Sequence, residues 1–343
     1  MTDRERTPLR DRVQAPTSLS LPAHSAGYRW RTLAPDDAPL LTGIAERMSA
    51  RDHPTWSESL EEMEEELERS WFEPSTDGVL CLDTDGVAVA YGLVSMPPDP
   101  ESIVRVTLAG GVDPAHRSRG LGRRLLAWQH DRARQMLASC DLALPAWVMS
   151  YAPDAAPEHG ALLQRAGFEP ARYFTTLECD TSAARPASAL PEGVVVVDFT
   201  AELSESVRRA KNTAFADHWG SQPTGAEQWR SMIDLPTFRP DLSRIALVDD
   251  DVVGFVTTEV NEEDWARHGH SSGYIGLVGT VRPWRRRGLA SALLSQVMAA
   301  YAREGLERAV LDVDAASPTG ALGVYTALGF TATARDTVYR RAY

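Results

Sequence analysis

A chain of 343 residues that is 43% hydrophobic can bury more than one core, and at roughly 150 residues per domain it is expected to form two domains. Its formal net charge of −13 lacks the basic footprint of a nucleic-acid binder, which excludes DNA or RNA as the main partner. No run approaches the ~18 apolar residues of a membrane span, and three scattered cysteines without Cys-x-x-Cys spacing offer neither a disulfide framework nor a zinc site.

Residues 1–26 mix charges, prolines and serines without periodicity and read as a disordered leader that lacks the apolar stretch of a signal peptide, so a cytoplasmic protein is expected. The acidic run Glu58 to Glu68 carries Leu60, Met63 and Leu67 at helical spacing and predicts a helix with a solvated face. Apolar strand-like runs follow at Val89 to Val94 and at Val104 to Leu108, the second leading through Val112-Asp-Pro into Arg117-Ser-Arg-Gly120-Leu-Gly122. Leu121, Leu125 and Trp128 then fall on one face of a helix, so the glycine-rich loop joins a strand to a helix. Ala166-Gly-Phe168 closes the first half, and the small-residue and proline segment 181–193 reads as a linker. The expected domains are therefore 27–180 and 194–343.

The second half repeats these landmarks in order. Val252-Val-Gly254-Phe-Val matches Val89-Ala-Tyr-Gly92-Leu-Val, and Leu328-Gly-Phe330 matches Ala166-Gly-Phe168 at the same spacing. The loop returns as Arg285-Arg-Arg-Gly288-Leu-Ala290 after Tyr274 to Val278 and Val281-Arg-Pro, and it opens a helix faced by Leu289, Leu293, Val297 and Tyr301. Its larger spacing implies a small insertion before it, placed at 261–273. Pro283 to Gly288 counts one residue fewer than Pro114 to Gly120, so the second strand is expected to enter its loop differently. A strand follows at Ala309 to Asp314, then a helix opened by Ser317-Pro-Thr-Gly-Ala321 and carrying Tyr325 ahead of Gly329-Phe330.

The chemistry of the loop is readable. Glycine lets N–H groups crowd at a helix N-terminus, where the partial positive charge favours an anion, so a phosphate-bearing ligand is expected. The spacing is neither the dinucleotide fingerprint nor the P-loop.

The loop, the later tyrosine and the Gly-Phe pair together resemble a tandem member of the GNAT acetyltransferase superfamily. The resemblance implies an α/β fold of two GNAT modules, each a mixed, mostly antiparallel sheet flanked by helices with a V-shaped opening. It implies acetyl-CoA as acyl donor, held in the second half by Gly279, Thr280, Val281, Arg286, Arg287, Gly288, Leu289, Ala290 and Ser317, the last standing where the family commonly has asparagine. In the first half the corresponding residues are Val112, Arg117, Gly120 and Gly122.

Tyr325 matches the family's general acid, a role suited to a phenol that keeps its proton at neutral pH; the alternative is a helix tyrosine filling space beside the core. Leu163 stands at that place in the first half, so the first module is expected to be degenerate and the second catalytic. Glu259 is either the general base or a solvent-facing acid, and His218 and Trp219 either contact substrate or anchor packing. The implied reaction is direct transfer to a primary amine of a small molecule by a monomer or homodimer, with no metal. The layout is also similar to that of the mycothiol synthases, whose acceptor is a cysteinyl amine; a non-catalytic acyl-CoA sensor is a further alternative.

Overall fold

The protein is described here by a computed structural model covering residues 7–25, 27–52, 58–183, 189–316 and 320–343. Contacts divide the chain into two compact units, one of residues 1–172 with 336–343 and the other of 173–335. In chain order the elements are α1 (Leu9–Arg12), β1 (Arg29–Thr32), α2 (Ala38–Asp52), α3 (Leu60–Glu68), α4 (Pro74–Asp77), β2 (Gly78–Leu82), β3 (Ala88–Ser95), β4 (Val104–Val112), α5 (Leu121–Ala138), β5 (Ala146–Pro153), α6 (Pro157–Arg165) and β6 (Glu169–Asp180). There follow β7 (Val195–Asp198), α7 (Ser204–Phe215), α8 (Ala226–Ile233), β8 (Arg244–Val248), β9 (Asp251–Glu259), α9 (Trp265–His268), β10 (Ser272–Thr280), α10 (Leu289–Glu304), β11 (Arg308–Asp314), α11 (Ala321–Ala327) and β12 (Thr331–Ala342).

Each unit builds the same sheet. In the first, β1, β2, β3 and β4 pair antiparallel in turn, and β4 then pairs parallel with β5 only over Val104–Thr107 and Ala146–Met149. In the second, β7 to β10 pair antiparallel, and β10 meets β11 in parallel only over Ser272–Tyr274 and Arg308–Val310. Beyond those short contacts the parallel strands part, which leaves a V-shaped opening at the carboxyl end of β4 and of β10. The last sheet position is filled by exchange: Asp336 to Ala342 of β12 pair with β5 in the first unit, and Phe174 to Asp180 of β6 pair with β11 in the second. The two long strands therefore change unit along their length, and Asp180 and Val195 both lie in the second unit. Composition places the boundary at 181–193 because the exchange is a matter of long-range pairing and leaves no mark on local sequence.

The predicted helical faces are the buried ones. Leu289, Leu293, Val297 and Tyr301 of α10 are fully buried, and so are Leu121 and Leu125 of α5 apart from a few per cent. Residues 7–25 depart from the disordered leader expected of their composition. Leu9 and Val13 enter the core beside α5, and the Leu9 and Arg10 amides donate to the carbonyls of Leu142 and Cys140 at 3.0 Å. One helical turn spaces these two apolar groups onto one face, and the backbone bonds fasten it.

The acidic helix α3 forms as predicted, capped by Ser59 with Glu62 in reciprocal bonds and burying Met63 and Leu67. Its face is less solvated than expected: burial, with Glu66 and Glu62 nearby, pushes the Glu58 carboxyl up to about 7. The insertion before the second loop is the turn Glu262–Asp264 with α9. Register shows that Gly254 corresponds to Ala90 and not to Gly92, because the amides after β4 and β10, of Asp113 and Val281, donate to the carbonyls of Val89 and Val253.

Candidate active site

The loop at the start of α10 takes its shape from two left-handed residues, Arg286 at φ +60° and Gly288 at φ +79°. The same pair recurs as Ser118 at φ +62° and Gly120 at φ +81°. Such turns deliver the chain into the helix with its first amides uncovered: no side chain caps Gly288, and Leu289, Ala290 and Ser291 have no intrahelical acceptor by geometry. Arg285 is spent inward, its Nε donating to the Thr280 carbonyl at 3.2 Å, its Nη2 to the Ala214 carbonyl at 2.7 Å and its Nη1 pairing with Asp217 at 3.2 Å. Arg117 does the same in the first unit, bonding the Val112 carbonyl at 3.0 Å and pairing with Asp52. The two loops are thus equal in length. Pro114 and Pro283 occupy successive positions of the same turn, and the one-residue difference expected from the sequence comes from matching prolines that are not equivalent.

In the second unit the opening between β10 and β11 is a cavity of about 870 Å³. At the loop it is lined by Gly279, Thr280, Arg286, Gly288, Leu289 and Ala290, with His218 beside Arg285, and where β10 and β11 part by Tyr274 and Asp312; Asp314, Phe174 and Tyr325 line it too. Gly279 is required there, since a Cβ would fall 2.1 Å from the Phe255 ring. The Thr280 hydroxyl is buried and has no hydrogen-bond partner among the described residues. An orphaned hydroxyl, uncapped helix amides and an arginine in one cleft fit the anionic, hydrogen-bonding body of an acyl-CoA.

Tyr325, on α11, is 7% exposed and meets Phe330 edge to face at 5.9 Å. Its hydroxyl bonds no described residue, and burial pushes the phenol up to about 12, so it holds its proton across the neutral range. His218 packs on Phe215 at 4.5 Å, and burial, then Arg285, lowers its pKa. Asp312 accepts from the Thr176 hydroxyl at 2.7 Å and from the Tyr274 hydroxyl at 3.0 Å.

Two segments of the chain, residues 45–153 and 205–330, match the profile of the acetyltransferase (GNAT) family. The chain belongs to the GNAT acetyltransferase family. It is an acyl-CoA-dependent N-acetyltransferase by that membership and by its relatives. It is 31% identical over 265 residues to a mycothiol acetyltransferase of Thermobispora bispora, covering 77% of this chain and 83% of the relative. It is 31% identical over 251 residues to one from Nocardioides sp., covering 70% and 82%. Among solved structures, a GCN5-related N-acetyltransferase from Sphaerobacter thermophilus matches at TM-score 0.68 and 27% identity, over 94% of this chain and 97% of that one. A tandem GNAT protein from the clavulanic acid biosynthesis pathway shares the fold at TM-score 0.65 and 18% identity, over 92% and 98%.

Against that family pattern, the residues expected from sequence sort clearly. Gly279, Thr280, Arg286, Gly288, Leu289, Ala290 and Tyr325 share the one cavity. Val281 stands outside it, its amide bonded to the Val253 carbonyl at 3.1 Å. Arg287 stacks over Trp284 at 4.8 Å instead of facing in, and Trp219 does not line the cavity. Glu259 is not among the lining residues but lies beside Gly276, which is, its carboxylate 2.6 Å from where a Cβ of that glycine would stand. Ser317 lies outside the described residues.

In the first unit, Val112, Gly120 and Gly122 hold positions equivalent to Thr280, Gly288 and Ala290, and Arg117 is tied to Asp52 and Glu158. Leu163 does occupy the place of Tyr325: Phe168 donates to the Leu163 carbonyl as Phe330 donates to that of Tyr325, both at 3.1 Å. His159 and Leu162 replace the wall residues Ala321 and Val324, and Leu162 leans on Gly122.

Tyr274, Asp312 and Asp314 were not foreseen. Their signal is the alternation Asp312-x-Asp314 in an otherwise buried strand, which puts two acids on one sheet face.

Proposed function

We propose that the second unit transfers an acetyl group from acetyl-CoA to a primary amine of a small molecule, while the first unit acts as a scaffold. One observation carries the reading: the Tyr325 hydroxyl stands in the cavity without a described partner, while the equivalent Leu163 offers only carbon. The acyl donor supplies a thioester carbonyl, at which the amine forms the new C–N bond as the C–S bond breaks. Leu289, Ala290, Ser291, Arg286 and Thr280 hold the donor by hydrogen bonds and charge, and Tyr325 donates its phenolic proton to the departing sulfur. The proton released by the amine passes toward Glu259, through water beside Gly276. No step needs a nucleophile from the protein, so the transfer is direct.

A second reading is supported by the relatives named mycothiol acetyltransferase: the acceptor amine belongs to a cysteinyl group. The test is thiol release from acetyl-CoA with a panel of amines that includes a cysteinyl amide, run with wild type, Tyr325→Phe and a Leu163 variant. Turnover that falls only in Tyr325→Phe supports the second unit as catalyst. Full turnover by Tyr325→Phe overturns it.

A further inference from the structure

The acceptor end of the cavity carries a feature that neither the loop nor Tyr325 explains. Asp312 sits at the mouth on β11, at the point where β10 and β11 part, and each of its oxygens accepts from a neutral hydroxyl. Thr176 is its cross-strand partner on β6, and Tyr274 reaches it from β10. Among the described residues no arginine or lysine forms an ion pair with it. This differs from Asp217, another acid of the cavity wall, which is committed to Arg282 at 2.6 Å and to Arg285 at 3.2 Å. A carboxylate has about four lone-pair sites, so two hydroxyls fix its direction and leave acceptor capacity toward the cavity. The first unit lacks the whole arrangement: once the bulge between Ile275 and Leu277 is allowed for, Tyr151 stands in place of Asp312 and Thr107 in place of Tyr274.

Resting on the proposed acetyl transfer, we propose that Asp312 selects the acceptor: it hydrogen-bonds the acceptor's amino group and admits amines whose neighbours are neutral. Asp314, two residues on and on the same face, adds a second negative charge to that wall. The three cavity arginines, 282, 285 and 286, lie at the loop end. A carboxylate beside the reacting amine, as in a free amino acid, would meet like charge at the mouth, whereas an aminoacyl amide or an amino sugar would not. Tyr274 is a positioning residue, holding one oxygen of Asp312 across the parting strands.

The test compares a free amino acid with its amide as acceptors, at saturating acetyl-CoA, for wild type, Asp312→Asn, Asp312→Glu and Tyr274→Phe. Wild type is expected to prefer the amide at least tenfold in kcat/KM. Asp312→Asn should lower kcat/KM for the amide at least tenfold, mostly through KM, and narrow the preference, while calorimetric binding of acetyl-CoA stays as in wild type. Asp312→Glu should restore part of the loss, and Tyr274→Phe should fall between wild type and Asp312→Asn. An unchanged preference and KM in Asp312→Asn overturn the inference even if Tyr325→Phe is impaired, so its failure is separable from that of the catalytic reading. If Asp312→Asn does not fold, an unchanged KM in a folded Tyr274→Phe overturns it equally.

Discussion

Tyr325 and Leu163 hold equivalent positions in the two units, and only Tyr325 brings a hydroxyl that can give up a proton. General acid catalysis contributes about 10²- to 10⁴-fold, so Tyr325→Phe is expected to lower kcat by ~10²-fold or more with the KM for acetyl-CoA unchanged, as steady-state kinetics would show. Burial raises the phenol to about 12, so its acid form is lost only as pH rises toward that value. The pH profile of kcat should therefore show no alkaline loss attributable to Tyr325 up to pH 10, and a limb near its ordinary pKa that vanishes in Tyr325→Phe would contradict this. Leu163, fully buried, should show the opposite pattern. Leu163→Ala is expected to cost about 2–5 kcal/mol in urea unfolding while kcat of the folded enzyme is retained.

At the scale of elements, β10 and the loop after it depend on backbone shape more than on side chains. Gly279 lets β10 lie against the Phe255 ring, and adding one methyl there would overpack the wall. Gly279→Ala is expected to cost about 1–3 kcal/mol in thermal or denaturant unfolding and to raise the KM for acetyl-CoA, because the displaced strand narrows the opening. Gly288 at φ +79° is expected to cost about 1–2 kcal/mol when changed to alanine, a left-handed penalty that Arg286 already bears one turn earlier in the loop. These elements were legible from sequence because a loop and the helix it opens are local: spacing alone places Leu289, Leu293 and Val297 on one face. The insertion before β10 was legible too, but its size was not, because matching Gly254 to Gly92 ignores the strand register that makes Ala90 its counterpart.

For the whole molecule, the exchange of strand ends sets what can be cut. Thr337, Val338 and Tyr339 are buried in the first unit though they follow the second in sequence, and Leu177 and Cys179 are buried in the second. Truncation after Arg335 is expected to abolish the cooperative unfolding transition of the first unit, read by circular dichroism and limited proteolysis, because it exposes β5 as an open edge. A fragment of residues 194–343 should aggregate for the matching reason, lacking the strand that covers β11, whereas residues 173–335 should fold and bind acetyl-CoA. Folding of 194–343 with full acetyl-CoA binding would refute this account of the exchange.

The sequence by itself determined the duplication, the two glycine-bearing loops, the helices they open, and the contrast of Tyr325 with Leu163, since each rests on residues close together in the chain. Only the tertiary structure decided which groups meet across the parting strands. Asp312 faces the cavity because Thr176 and Tyr274, from two other strands, fix it there. Arg287 is drawn aside onto Trp284, and Val281 is used up by Val253. Strand pairing joins residues far apart in sequence, and its register is set by the packing of both sheet faces at once. No local pattern carries that information.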